Sequence, residues 1–278
     1  MNIKKILCLT LVTLLLTSLV SGCGNKEHTK KSASQGRATA TDCSWSDVEK
    51  AGVLKIGLCP EYPPFESVTD DGSIEGFDPS LAAAIGKELG VTVEFVNTPW
   101  EGLIAGLGSG DFDLVMSAMS PDEATSATDA VSLSDPYYEL KDIIVVGKDN
   151  TDITKKEDLT GKNIGYQTGS AAEQVIDGLT KQNITIGVKS PYNRNADAFA
   201  DLANGRIDAI VVSYPYAVTM AKENDTFKVI NDTLQSCNLV AVMGKDAKEL
   251  TLKYNNALKT IKENQLYTEI ESQWLSIE

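Results

Sequence analysis

The stretch Leu107–Ser120, LGSGDFDLVMSAMS, constrains this chain most, because its first half recurs ninety-five positions later as Leu202–Ser213, LANGRIDAIVVS, on one Leu-x-x-Gly-x-x-Asp template. Each copy reads as a helix end, a glycine suited to the left-handed C-cap, an aspartate, and an apolar run of the kind that fills a strand covered on both faces. Two αβ units built alike predict an α/β chain of two lobes, each a mainly parallel sheet flanked by helices, with a cleft between them. In open parallel sheets ligands bind beyond the carboxyl ends of the strands, so Ser117–Ser120 and Ser213–Tyr216 are the first places to look for a site.

The 278 residues leave room for about two domains and a sizeable core, with 42% hydrophobic and 23% charged residues. A net charge of -14 argues against a nucleic-acid partner, which needs a basic face for phosphates. The N-terminus reads as an address. Lys4 and Lys5 form a positive region, Ile6–Val20 an apolar one too short for a comfortable membrane span, and Val20-Ser21-Gly22-Cys23 resembles a bacterial lipobox. Cys23 is then the lipidated first residue of the mature protein, followed by a polar tether of small residues to Thr41. The expected boundaries are 1–23 for the signal, 24–44 for the tether, 45–140 with 237–278 for lobe one and 141–236 for lobe two.

Cys43, Cys59 and Cys237 remain in an exported body, where one disulfide and one free thiol fit. Cys59 ends the first strand and Cys237 precedes the strand that returns to the same lobe, so those two are expected as neighbours and as the pair. No Cys-x-x-Cys occurs and the lone histidine, His28, lies in the tether, so neither a metal site nor a histidine-based triad, nor any cofactor, is expected.

Along the chain, Trp45–Lys50 reads as a short helix and Val53–Leu58 as the first strand. Pro60, Pro63 and Pro64 make Cys59–Phe65 a stiff loop at its carboxyl end. Asp78-Pro79 is a cap-then-proline start for a helix ending at Gly90, and Thr98-Pro99 repeats the device, placing Trp100 at the cleft edge. Strands are expected over Val91–Val96, Phe112–Met116, Asp142–Gly147, Asn163–Tyr166, Ile184–Val188, Ile207–Val212 and Leu239–Met243. Helices are expected over Ala171–Thr180, Asn195–Ala203, Ala217–Glu223 and Leu250–Glu271. The amides at the start of the Ala171 helix face the cleft as a potential anion site.

Lys55-Ile56-Gly57, Tyr62-Pro63-Pro64-Phe65, Gly76-Phe77-Asp78, Trp100-Glu101-Gly102-Leu103, Gly110 to Asp113, Ser134-Asp135-Pro136-Tyr137-Tyr138 and Gly205-Arg206-Ile207-Asp208 occur in that order. Over about Val48 to Trp274 they resemble the solute-binding proteins of polar amino-acid ABC importers. The resemblance implies the two-lobed periplasmic-binding fold, a monomer held at the outer face of the membrane by its lipid, a small-molecule ligand closed between the lobes, and delivery to the ABC permease. It also implies where the chain departs from its family. Positions where an ammonium-binding aspartate is common carry Cys59 and Ser213. The usual carboxylate-clamping arginine becomes Thr125, and the second-lobe hydroxyl pair keeps Ser170 but has Ala171. The family-matched positions that remain are Tyr62, Trp100, Ser117, Ala118 and Ser120.

Two substitutes suggest themselves. Arg194 is either a new carboxylate partner or a solvated surface arginine, and Glu61, Asp122 and Glu123 either favour a cation held against aromatic rings or are solvated acids at loop ends. The rivals to a non-enzymatic binding protein are an enzyme like the cyclohexadienyl dehydratases, with Glu61 or Glu173 as acid or base, and a sensor that presents its closed form to a receptor. One consequence of the lipobox is direct: Cys23→Ser should release the protein from membranes on fractionation, and a variant that stays membrane-bound contradicts the anchor.

Overall fold

The computed structural model describes Asp42 and residues 44–276, so Cys23, Cys43 and the expected tether lie outside the described residues. The chain opens with α1 (Ser44–Ala51), which Gly52 ends at a φ of 70°, and β1 (Val53–Leu58). Next come β2 (Glu61–Tyr62), β3 (Glu66–Val68), β4 (Ile74–Glu75), α2 (Phe77–Leu89) and β5 (Thr92–Asn97). A 3-10 turn at Trp100–Gly102 leads into α3 (Leu103–Ser109), β6 (Leu114–Val115), α4 (Pro121–Ser126) and β7 (Val131–Leu133). There follow β8 (Tyr138–Gly147), β9 (Asn163–Gln167), α5 (Ala171–Leu179), β10 (Val188–Tyr192) and α6 (Asn195–Ala203). The chain continues through β11 (Ala209–Ser213), α7 (Tyr214–Glu223), β12 (Phe227–Leu239), β13 (Val242–Gly244), α8 (Lys248–Glu263) and α9 (Leu266–Leu275).

Two five-stranded sheets organise these elements, in the orders β5-β1-β6-β13-β7 and β10-β9-β11-β8-β12. The first three strands of each run parallel and the last two antiparallel to their neighbours. The repeated sequence unit thus sits at corresponding places, since β6 and β11 are each third in order. Gly110 caps α3 at a φ of 79° and Gly205 follows α6 at 67°, the conformations that the template reserves for glycine. Asp113 and Asp208 do matching work too: their carboxylates accept the backbone N–H groups of Lys55 and Asn163, at 2.8 and 2.7 Å, pinning the starts of neighbouring strands.

The chain passes from the first sheet to the second along β8 and returns along β12. The two strands pair antiparallel from Tyr138↔Leu239 to Gly147↔Phe227, with an irregularity between Ile230 and Gln235. Leu54, Ile56, Phe65, Phe77, Leu81 and Tyr254 fill the core under the first sheet, and α2, α8 and α9 cover it. Ile164, Val211 and Ile176 pack on one face of the second sheet, and Ile210, Phe199 and Tyr216 on the other.

Several sequence expectations are corrected. Cys59 and Cys237 are both free thiols. Cys59 follows β1 and packs with the group around Leu103 and Phe112 in the first half, whereas Cys237 stands on β12, an edge of the second sheet, opposite Leu140. Ile184–Val188 is not a strand; β10 starts at Val188, and only Ile186 forms an isolated bridge, to Thr160. Residues 250–271 form two helices, because Gln265 takes a φ of 68° between α8 and α9. The proline-rich loop holds a short strand, β2, whose two residues pair with Ser67 and Glu66. Leu239 closes β12 and the return strand starts at Val242.

Gly76 is the glycine on which the approach to the site turns. Its φ of 135° belongs to a region essentially closed to other residues, and a Cβ there would stand 2.2 Å from the Phe65 carbonyl oxygen. Gly76→Ala should therefore cost about 2 kcal/mol or more and lower the thermal midpoint by about 5 °C. Calorimetric melting of the variant beside the parent checks this.

Candidate functional site

The carboxyl ends of the parallel strands face one cavity. Cys59 follows β1, Ser117 follows β6, Gln167 ends β9 and Ser213 ends β11, and all four line it. Trp100, Tyr62, Ala118 and Ser170 line it as well, each at a place that the family resemblance singles out. The space left inside is about 50 Å3, room for a few water molecules and too little for an amino acid. A solute therefore enters only when the halves part.

Three contacts hold the halves together. The Tyr62 hydroxyl donates to Ser213 Oγ, and its ring stacks on Tyr216 with centroids 4.6 Å apart and planes within 11°. Since Phe65 stacks on Tyr62 as well, at 5.9 Å, neither face of the Tyr62 ring is free as a platform for a ligand in this conformation. At the rim, Arg194 Nε lies 2.7 Å from Glu61 Oε2, with both side chains about half exposed. Arg194 thus pairs with Glu61 at the rim and does not line the cavity in this conformation. The third contact is the most telling: Glu123 Oε1 accepts the Ala171 backbone N–H at 2.6 Å, reaching from α4 in the first half to the first residue of α5 in the second.

Glu123 is held from its own side as well. Its Oε2 accepts the Ser120 N–H at 2.7 Å while Ser120 Oγ accepts the Glu123 N–H, the reciprocal arrangement of a capping box, with Pro121 at the first helical position. So Ser120 caps α4 and does not line the cavity. Thr125 sits on the same helix with its hydroxyl donated to the Pro121 carbonyl, and it too stands off the lining. Of the amides expected to offer an anion site at the α5 N-terminus, the first, Ala171 N, already holds the protein's own Glu123 carboxylate.

A second acidic group sits behind Ser117. The Cys59 N–H donates to Ser117 Oγ at 3.0 Å, and Ser117 Oγ donates to Glu66 Oε1 at 2.7 Å. Asp78 lies next to Glu66. Asp78 was expected to cap α2; instead its Oδ2 accepts the Ala118 N–H at 2.7 Å and the Tyr137 hydroxyl at 2.9 Å, and no side chain caps that helix. Ala118 takes a φ of 45°, unusual for a residue with a Cβ, to present that N–H. Glu66 Oε2 and Asp78 Oδ1 have no donor among the described residues. Burial, and then the Asp78 charge, push the Glu66 carboxyl well above its ordinary range, and a proton held between the two acids satisfies both.

The sequence reading missed Asp142. It lies in β8 directly opposite Ser213 in the antiparallel register, so the two side chains share a face. It is buried, lines the cavity, and accepts one hydrogen bond, from Gln235 Nε2 at 3.0 Å. The signal was available, because a lone acidic residue precedes the uninterrupted apolar run Ile143–Val146 of a strand buried on both faces. Among the lining residues there is no Lys, Arg or His. Among the described residues no three His, Cys, Asp or Glu side chains gather as a metal site.

Two matched sheets that aim their strand ends into one cavity with a few placed polar groups define a cleft-type binding protein. The chain belongs to the bacterial extracellular solute-binding proteins, family 3, which it matches over residues 54–277. It is 32% identical over 226 residues to the ABC transporter arginine-binding protein 1 of Escherichia coli strain K12, covering 80% of this chain and 90% of that one. A histidine-bound ABC uptake transporter substrate-binding protein from Streptococcus pneumoniae superposes with a TM-score of 0.77 at 26% identity, covering 85% of this chain and 97% of the other. An ancestral amino-acid-binding protein, AncCDT-1, described as a precursor of cyclohexadienyl dehydratase, superposes at 0.73 with 34% identity, over 82% of this chain and 98% of that one.

Burial pushes the Glu123 carboxyl up to about 7 and the Asp142 carboxyl up to about 6, against a few hydrogen bonds that pull down. A raised carboxyl holds its proton longer folded than unfolded, so its contribution is full at low pH and is lost as pH rises through the folded value. Thermal stability of the ligand-free chain should therefore fall between about pH 4 and pH 7. Glu123→Gln with Asp142→Asn should make that slope shallower, the part left belonging to Glu66 and Asp78, which melting curves across the range check.

Proposed function

We propose that the chain is the capture subunit of an ABC importer: it takes a small polar solute, an amino acid or a compound like one, into the cleft between its two sheets and hands it to the membrane permease. The observation that carries this is the cavity enclosed by the carboxyl ends of both sheets and closed by contacts that join the halves, a place that binds by parting and closing. Relatives named for arginine and histidine binding support the same solute size and polarity. Attachment through a lipidated Cys23 at the outer face of the cytoplasmic membrane and action as a monomer complete the reading.

No chemistry is assigned to the cleft. The kinship to a precursor of a dehydratase keeps the enzymatic alternative concrete. Against it, the two acids suggested by the sequence are otherwise engaged. Glu61 pairs with Arg194 at the rim, and Glu173 accepts the Gly169 N–H at 2.7 Å.

A thermal-shift survey of amino acids, amines and related small solutes tests the proposal. At a hundred times its dissociation constant a true ligand adds about 2.7 kcal/mol of stability, a rise of several degrees for a chain of this size. The expected outcome is a narrow set of stabilising solutes recovered unchanged. Conversion of the stabilising solute, or of prephenate or arogenate, contradicts a binding protein, and so does a flat response to the whole survey.

A further inference from the structure

The cleft reading says that something small and polar is held; the walls say what charge it carries. We propose that the ligand is a small organic cation with no free carboxylate, an amine or guanidine, for which Asp142 is the charge partner. This rests on the cleft-binding reading and narrows it.

The first observation concerns the place an anion would take. Helix N-termini attract carboxylates because their amides lack partners, and the first amide of α5 is the one that the second sheet turns into the cleft. Glu123 already fills it, with one oxygen on Ala171 N and the other on Ser120 N. An incoming carboxylate finds those donors taken. It finds no lining Lys or Arg, and Arg194 stands off the cavity at the rim beside Glu61. To enter, it would have to displace Glu123 into an acidic cavity or stay buried without a partner, and both are costly.

The second observation concerns the place a cation would take. Ser213 ends β11, and Asp142 is its direct partner on β8, so an acidic group stands beside that strand end although Ser213 is not one. On the first half, Cys59 is not acidic either, and its N–H leads through Ser117 to Glu66, which is buried, lines the cavity, and holds a proton with Asp78, so the free acidic group at the strand ends is Asp142. Among the described residues Asp142 Oδ2 accepts only from Gln235, and no donor reaches Oδ1. Asp142 thus faces a cavity with no positive group of its own, while Glu66 shares its proton with Asp78 behind Ser117. A cation that enters supplies what Asp142 lacks, and Ser213, Gln167 and Asn195 offer neutral polar contacts around it.

The closing experiment is titration calorimetry of the purified chain, freed of bound solute, with matched pairs that differ by one carboxylate: arginine and agmatine, lysine and cadaverine, histidine and histamine. The expected result is that the amine of at least one pair binds about tenfold tighter than its parent or better. Asp142→Asn should weaken that amine about tenfold, and Glu123→Ala, which frees the two amides, should narrow the gap between amine and parent. Parent amino acids that bind as tightly as their amines overturn the inference and leave the cleft reading standing. Failure of every amine also overturns it; if no solute of any class stabilises the chain, the cleft reading falls with it.

Discussion

A carboxylate taken out of water costs several kcal/mol unless something replaces its hydration. Four acidic side chains, Glu66, Asp78, Glu123 and Asp142, are buried at or just behind one cavity, and the local structure is largely arranged around satisfying them. Asp78 draws in the Tyr137 hydroxyl and holds Ala118 in a left-handed turn. Glu66 shares its proton with Asp78 and takes a hydrogen bond from Ser117. Glu123 collects two backbone amides, one from each half. Asp142 is left with a single amide side chain. Its deficit is the asymmetry that gives the site a charge preference.

Closure follows from the same arrangement. The Glu123–Ala171 bond, the Tyr62–Ser213 bond and the Tyr62–Tyr216 stack each join residues of different halves, so each is lost when the cleft opens. Of these three only Glu123 couples closure to charge, because a protonated carboxyl cannot accept at both oxygens as well as the ionised form. The exposed Arg194–Glu61 pair adds little by comparison, as ion pairs in water do.

The fold was legible in the sequence where glycine and proline punctuate it. The Leu-x-x-Gly-x-x-Asp unit gave two matching αβ pieces, and Gly52, Gly90 and Gly110 end helices where a positive φ is required. The site was legible in part: the strand-end positions Cys59, Ser117, Ser170 and Ser213 do converge, while Thr125 and Arg194 stand off the cavity. What escaped depends on pairing at a distance. Glu123 is 48 residues from Ala171, and Asp142 meets Ser213 only through the register of β8 and β11. No local pattern encodes either meeting. The reading that acidic residues at Cys59 and Ser213 had simply vanished was too narrow, because neighbouring elements bring Glu66 and Asp142 to the same places. The expected cysteine pair failed for a related reason, since Cys237 packs on the core around Leu54 and Phe77 while Cys59 packs on the separate group around Leu103 and Phe112.

The central claim is that the cleft is built for positive charge without a carboxylate. Native mass spectrometry of the protein purified without added solute, followed by release and identification of whatever it carries, tests that claim most directly. The account predicts a small organic cation whose mass and fragmentation show no carboxyl group. A bound α-amino acid, or any carboxylate-bearing solute, would contradict it.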